Sequence, residues 1–195
     1  MEMSSTSRNL YVDVETDGVG GFRPPTQSVM QWAWVIKGGS EDDIERNYFI
    51  SDTRAQAVNP KVPHEISAEQ CRRDGIPFEE VLAIFTKDLL ECDVVCAHNL
   101  KFDLGCIRNE LVARSLVYEE FDRLVSSKRN VCTMDNRDTC KLVNPVTKRF
   151  PKLEALYNTL FPGSEISHLG NLHDALTDCR VLSLCHAKLI STIRT

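Results

Sequence analysis

Asp13 and Glu15 stand two residues apart in the run Leu10-Tyr11-Val12-Asp13-Val14-Glu15-Thr16. In an extended strand residues i and i+2 share a face, so the two carboxylates project together while Val12 and Val14 point the other way. Like charges side by side on a buried strand are unfavourable unless a cation neutralises them, and oxygen-only ligands suit magnesium or manganese better than zinc. The pair asks for a divalent metal. A strand running out into a solvated acidic turn at Asp17-Gly18 contains the same residues, so this segment alone leaves both readings open.

Two further segments carry groups of the same kind. In Asp93-Val94-Val95-Cys96-Ala97-His98-Asn99-Leu100-Lys101-Phe102-Asp103 a buried strand breaks at polar residues and passes into a helix whose apolar positions are Leu104, Ile107, Leu111 and Val112. Asp103 falls in that helix's first turn, where the helix dipole favours a carboxylate whether or not it has a chemical role. In Asn171-Leu172-His173-Asp174-Ala175-Leu176-Thr177-Asp178 a C-terminal helix begins near His173, and Asp178 follows it by about a turn and a half. A histidine before a helix is a capping or packing residue as readily as a proton acceptor.

Taken in order, the three segments resemble the three motifs of the DEDDh (DnaQ-like) 3′-to-5′ exonucleases, which belong to the ribonuclease H-like superfamily. Asp13 and Glu15 match the D-x-E-T motif, Asp103 the acid of H-N-x-x-F-D, and His173 and Asp178 the H-x-A-x-x-D motif. The segments around Pro63-His64-Glu65-Ile66-Ser67, Val131-Cys132-Thr133-Met134 and Phe150-Pro151-Lys152-Leu153 are similar to the family's connections, so the resemblance spans nearly the whole chain. Asp17 departs from it, standing where the family often has a second threonine, and Asp174 sits beside the presumed base.

The resemblance implies hydrolysis of phosphodiester bonds at 3′ ends with release of nucleoside 5′-monophosphates. Two divalent cations, Mg2+ or Mn2+, about 3.5–4 Å apart would neutralise phosphoryl charge and stabilise the departing oxygen. It implies that Asp13 bridges both ions, that Glu15 and Asp178 hold one, and that Asp103 helps hold the other. His173 would take a proton from the attacking water, a task that suits an imidazole of ordinary pKa about 6.5. Thr16 and Val19 would lie near the 3′-terminal nucleotide, and Asn99 and Phe102 near the penultimate one, with ordinary core packing the competing role for Phe102.

Strands are predicted at 9–14, Val29–Lys37, 47–51, Val94–Ala97 and near 131–134. Helices are predicted near 67–73, Phe78–Leu90, 102–114, 151–160 and 172–193. Three early strands followed by strands alternating with helices define an α/β class with a mixed sheet. By resemblance this is a ribonuclease H-like three-layer fold with a five-stranded sheet flanked by helices, Asp13 on its central strand.

Composition sets the remaining expectations. With 195 residues and 42% hydrophobic content, a single domain over 9–195 behind a flexible polar tail at 1–8 is expected. No signal-like apolar segment or membrane-length run occurs, which predicts an intracellular protein, cytoplasmic or nuclear, without a membrane partner. The eight cysteines lack any C-x-x-C pair and read as buried free thiols; a zinc site from Cys179, Cys185 and His186 lacks a second ligand pair. The net charge of −5 argues against extensive duplex binding, yet four acids belong to the presumed metal site. Lys128-Arg129 and Lys148-Arg149 with Lys152 are local cations that either follow a phosphate backbone or form a solvated face. The expected partner is a single-stranded 3′ end, DNA ahead of RNA. The alternative is a proofreading or interaction subunit whose main role is assembly with a polymerase or another replication or repair protein.

Overall fold

The structure is a computed structural model that describes residues 7–18 and 27–193, the side chain of Ile193 excepted. The strands are β1 (Asn9–Thr16), β2 (Val29–Lys37), β3 (Ile44–Phe49), β4 (Val94–Ala97) and β5 (Arg129–Cys132). They form one mixed sheet in the order β3-β2-β1-β4-β5, antiparallel across β1–β2–β3 and parallel across β1–β4–β5. The helices are α1 (Ala68–Asp74), α2 (Phe78–Leu90), α3 (Leu100–Ala113), α4 (Tyr118–Ser126), α5 (Arg137–Val143), α6 (Leu153–Leu160) and α7 (Ala175–Ile193).

Both faces of the sheet are covered, which explains why β2 (VMQWAWVIK) is an almost unbroken apolar run buried at every position but Lys37. On one face Trp32 and Trp34 meet Phe78, Val81, Phe85 and Leu89, spaced along α2 as one apolar stripe, with Cys106, Ile107 and Leu111 of α3 alongside. The Trp34 and Phe85 rings meet edge to face, 5.2 Å between centroids. On the other face Ala175, Cys179 and Leu182 of α7 pack against Tyr11, Ala33, Val35 and Cys96. Leu156 and Tyr157 of α6 then cover Val181 and Cys185 of α7. This is the expected three-layer arrangement, and β1 is the central strand.

Several boundaries differ from the sequence expectation, each for a local reason. α7 begins at Ala175 rather than at 172, because the Asp174 carboxylate caps it by accepting the Thr177 N–H at 3.0 Å. β3 lies three residues earlier than expected and alternates between half-buried and exposed positions as an edge strand does. α4 and α5 fall outside the expected helices: α4 buries only Phe121, and α5 is a seven-residue helix capped by Asn136 with no apolar stripe. Arg8, expected in the tail, is buried; its N–H donates to Asp93 Oδ2 at 2.9 Å and its guanidinium to Gly38 O at 3.2 Å. Residues 1–6 of that tail lie outside the described residues.

All eight cysteines are unpaired, and all but Cys132 are buried. Cys179 donates to Ala33 O and His186 bonds the Tyr11 hydroxyl, so each is engaged in packing. Among the described residues no helix is long and apolar enough to cross a membrane.

Candidate active site

The site lies at the carboxyl ends of β1 and β4, the usual place for chemistry in an open α/β sheet. β4 pairs with β1 only at Asn9, Leu10 and Tyr11. Beyond Tyr11 the flank of β1 is therefore open, and the amino end of α3 enters the gap. There the buried Asp103 carboxylate takes a hydrogen bond from the Val14 backbone N–H. Asp13 and Glu15 sit on the same face of β1, opposite Ala33 and Gln31 of β2, and turn toward α7. Asp178 occupies the first turn of α7 and completes the set.

Four carboxylates so arranged disfavour one another's charge. Burial, followed by Asp103, Asp178, Glu15 and Asp174, pushes Asp13 well above the usual carboxylate range. Burial, followed by Asp178, Asp103 and Asp174, raises Glu15 to about 8. Burial raises Asp103 to about 8 against the opposing backbone hydrogen bonds, and raises Asp178 to about 7. One buried oxygen of Asp103 (Oδ2) and one of Asp178 (Oδ1) have no hydrogen-bond partner among the described residues. Unpartnered buried carboxylate oxygens among mutually repelling acids fit a hard divalent cation, which supplies the missing contacts and the missing positive charge.

His173 belongs to the same constellation. Its ring and the carboxylates of Glu15 and Asp178 offer ligand atoms that all lie within 4.8 Å of one another. The residue is solvent-exposed, with its backbone in the left-handed region at φ 64°, a conformation that non-glycine residues adopt infrequently. Partial burial, with Lys152 adding to it, pulls the imidazole below its ordinary pKa, so it is neutral and able to accept a proton at neutral pH.

The segment carrying His173 is held by residues the motifs do not contain. Gln31, fully buried on β2, donates through Nε2 to Asp174 Oδ2 at 2.7 Å and accepts the Ala175 N–H at 3.1 Å. One side chain thus grips both residues that follow His173. A lone amide inside the apolar run of β2 is the signal that points to Gln31, and the Asp174-x-x-Thr177 cap is the signal for Asp174.

The remaining residues singled out in the sequence divide. Thr16 is buried and its hydroxyl donates to Gly18 O at 3.1 Å, so that group shapes the turn and is not offered outward. Asp17 closes the same turn by accepting the Ser28 N–H at 2.7 Å. Asn99 holds the position before α3 without capping it through its side chain. Phe102 is half-buried and packs against the core beneath α3. Val19 lies outside the described residues. His64 receives the Ile66 N–H on Nδ1, which places its proton on Nε2 facing Thr16 O at 2.8 Å.

No protein-family model matches the chain, and no curated protein does. Solved structures do. The chain superposes on E. coli exonuclease I in complex with a dA16 oligonucleotide with a TM-score of 0.70 at 19% identity, over 95% of this chain and 41% of that one. The zinc-bound form of the E. coli exonuclease I complex with single-stranded DNA gives 0.71 at 19% identity, again over 95% and 41%. A product-bound exonuclease I gives 0.70 at 16% identity over 95% and 43%. The fold is thus the ribonuclease H-like α/β fold of the exonuclease I structures. This chain spans about two-fifths of the length of those proteins.

Proposed function

We propose that this chain is a metal-dependent 3′-to-5′ exonuclease of the DEDDh type, acting on single-stranded ends, DNA ahead of RNA, and releasing nucleoside 5′-monophosphates. The observation that carries this reading is the convergence of Asp13, Glu15, Asp103 and Asp178, from three distant segments, on one point beside His173. A fold that only needed stability would not gather four repelling carboxylates and leave two of their oxygens unpartnered.

Asp13, Glu15 and Asp178 would hold one cation, and Asp13 with Asp103 would hold the other. Such cations, when bound, supply charge neutralisation at the phosphoryl oxygens and acidify a water molecule. The neutral His173 imidazole, fixed at the mouth of the site, accepts the proton of the attacking water. Gln31 and Asp174 keep its backbone in the conformation that points it there. The bound oligonucleotides of the exonuclease I structures support a single-stranded substrate for the shared fold. End-labelled single-stranded DNA, duplex DNA and RNA of one sequence, each incubated with magnesium, manganese or EDTA, test the proposal. Release that requires metal and is fastest from single-stranded DNA is expected; release undiminished in EDTA would contradict it.

A further inference from the structure

A cleft of about 730 Å3 lies beside the acidic site, at the amino end of α3. It runs between α3, α4 and the end of β5, and its lining includes Asn99, Lys101, Leu104, Arg108, Met134 and Phe150. Its volume lies in the range of ligand-binding clefts, about 300–1,000 Å3. Asn99 joins it to the candidate active site, because this lining residue's backbone N–H bonds the Asp103 carboxylate.

Phe150, on one side of the cleft, belongs to the segment 144–152, whose backbone is anchored at two points. His98 donates from Nε2 to Pro151 O at 2.9 Å, while its Nδ1 accepts from the Thr133 hydroxyl at 2.9 Å. Asn144 donates to Arg149 O at 2.9 Å and accepts the Lys148 N–H at 2.7 Å. The result is an anchored backbone with the Phe150 ring 60% exposed over the cleft, where burial cannot be its reason for being there. Between Asp138 and Glu154 the chain has Lys141, Lys148, Arg149 and Lys152 and no acid. The facing wall has the exposed Lys101, with Arg108 engaged by Asp122 and stacked on Tyr118, and Asp135 at the rim. An aromatic platform between cations is the combination that holds single strands without reading their sequence, each stacked base contributing about 1–3 kcal/mol.

We propose that this cleft seats the nucleotides upstream of the scissile phosphate, with Phe150 stacking on a base and Lys101 meeting the backbone. His98 acts as a positioning residue that fixes Phe150 through Pro151. This rests on the exonuclease reading of the neighbouring site, from which the single strand would arrive at Asn99. A protein partner would also accept an apolar cleft, but continuity with the acids and the uninterrupted run of cations favour the strand.

The test measures fluorescence anisotropy of labelled dT3 and dT12 with the Asp13→Ala protein, with and without Phe150→Ala, Phe150→Trp or Lys101→Ala. Phe150→Ala is expected to weaken dT12 about tenfold, about 1.4 kcal/mol at 25 °C, and dT3 less than twofold. Phe150→Trp should retain dT12 affinity, and Lys101→Ala should flatten its salt dependence by about 0.7 in log–log slope. Unchanged dT12 affinity in Phe150→Ala, in a chain that still releases nucleotides when Asp13 is intact, overturns the cleft assignment alone and leaves the cleft to a protein partner. Equal losses for dT3 and dT12 also overturn it. No binding of either strand, together with no nucleotide release by the unaltered protein, overturns the exonuclease reading and the cleft assignment together.

Discussion

At the scale of single residues, the four acids are placed where they cost the fold and serve the chemistry. Asp13 is repelled by four neighbouring acids and Asp103 has an oxygen without a partner, so neutralising either should relieve strain while removing a cation ligand. Asp13→Asn is therefore expected to reduce nucleotide release by at least about 10³-fold, the several kcal/mol a bound cation supplies to a transition state. The same substitution should raise the thermal midpoint in EDTA at pH 8, measured by differential scanning fluorimetry. A lowered midpoint would show that the carboxylate supports the fold. His173 is exposed and takes no part in the core, so His173→Ala should leave the midpoint unchanged while slowing the chemical step by about 10²–10⁴-fold in single-turnover kinetics.

At the scale of elements, the amino end of α7 decides whether His173 and Asp178 meet the β1 acids. Gln31→Leu removes both hydrogen bonds that tie Asp174 and Ala175 to β2 and leaves the Asp174 carboxylate short of a partner. It is expected to lower kcat about 10- to 100-fold with a smaller change in KM, since a small misplacement of a catalytic group is costly. Gly170 precedes the same segment at φ 132°, and an added Cβ would collide with the Thr177 hydroxyl that bonds Asp174. Gly170→Ala should destabilise by more than about 1 kcal/mol in urea unfolding. The sequence made much of this legible. The two-residue spacing placed Asp13 and Glu15 on one face, and the apolar run of β2 and the stripe of α2 are read directly from residue type. The start of α7 lies three residues after the sequence expectation because the cap depends on Asp174, whose hydrogen bond to the Thr177 N–H no residue pattern reveals. Gln31 is 143 residues from its partner in sequence, and no local pattern connects them. α5, with only Thr139 and Cys140 buried, has no periodicity to read.

At the scale of the whole molecule, the acidic cluster links stability to pH and metal. Glu15 and Asp103 at about 8 and Asp178 at about 7 lie above the ordinary carboxylate value of about 4, so the folded metal-free protein binds more protons than the unfolded chain between those values. Its stability should therefore fall as pH rises from about 4 through about 8. A cation that binds the ionised acids competes with those protons, so the rise in thermal midpoint on adding Mg2+ or Mn2+ should be larger at pH 8 than at pH 6. Equal rises at both pH values would remove the carboxylates as the ligands. The most direct measurement of the central claim follows a 5′-labelled single-stranded DNA with magnesium, comparing the unaltered protein with Asp13→Ala. The expected result is a ladder shortening from the 3′ end with 5′-mononucleotides released by the unaltered protein, and an intact strand with Asp13→Ala or with EDTA. Undiminished shortening by Asp13→Ala would contradict it.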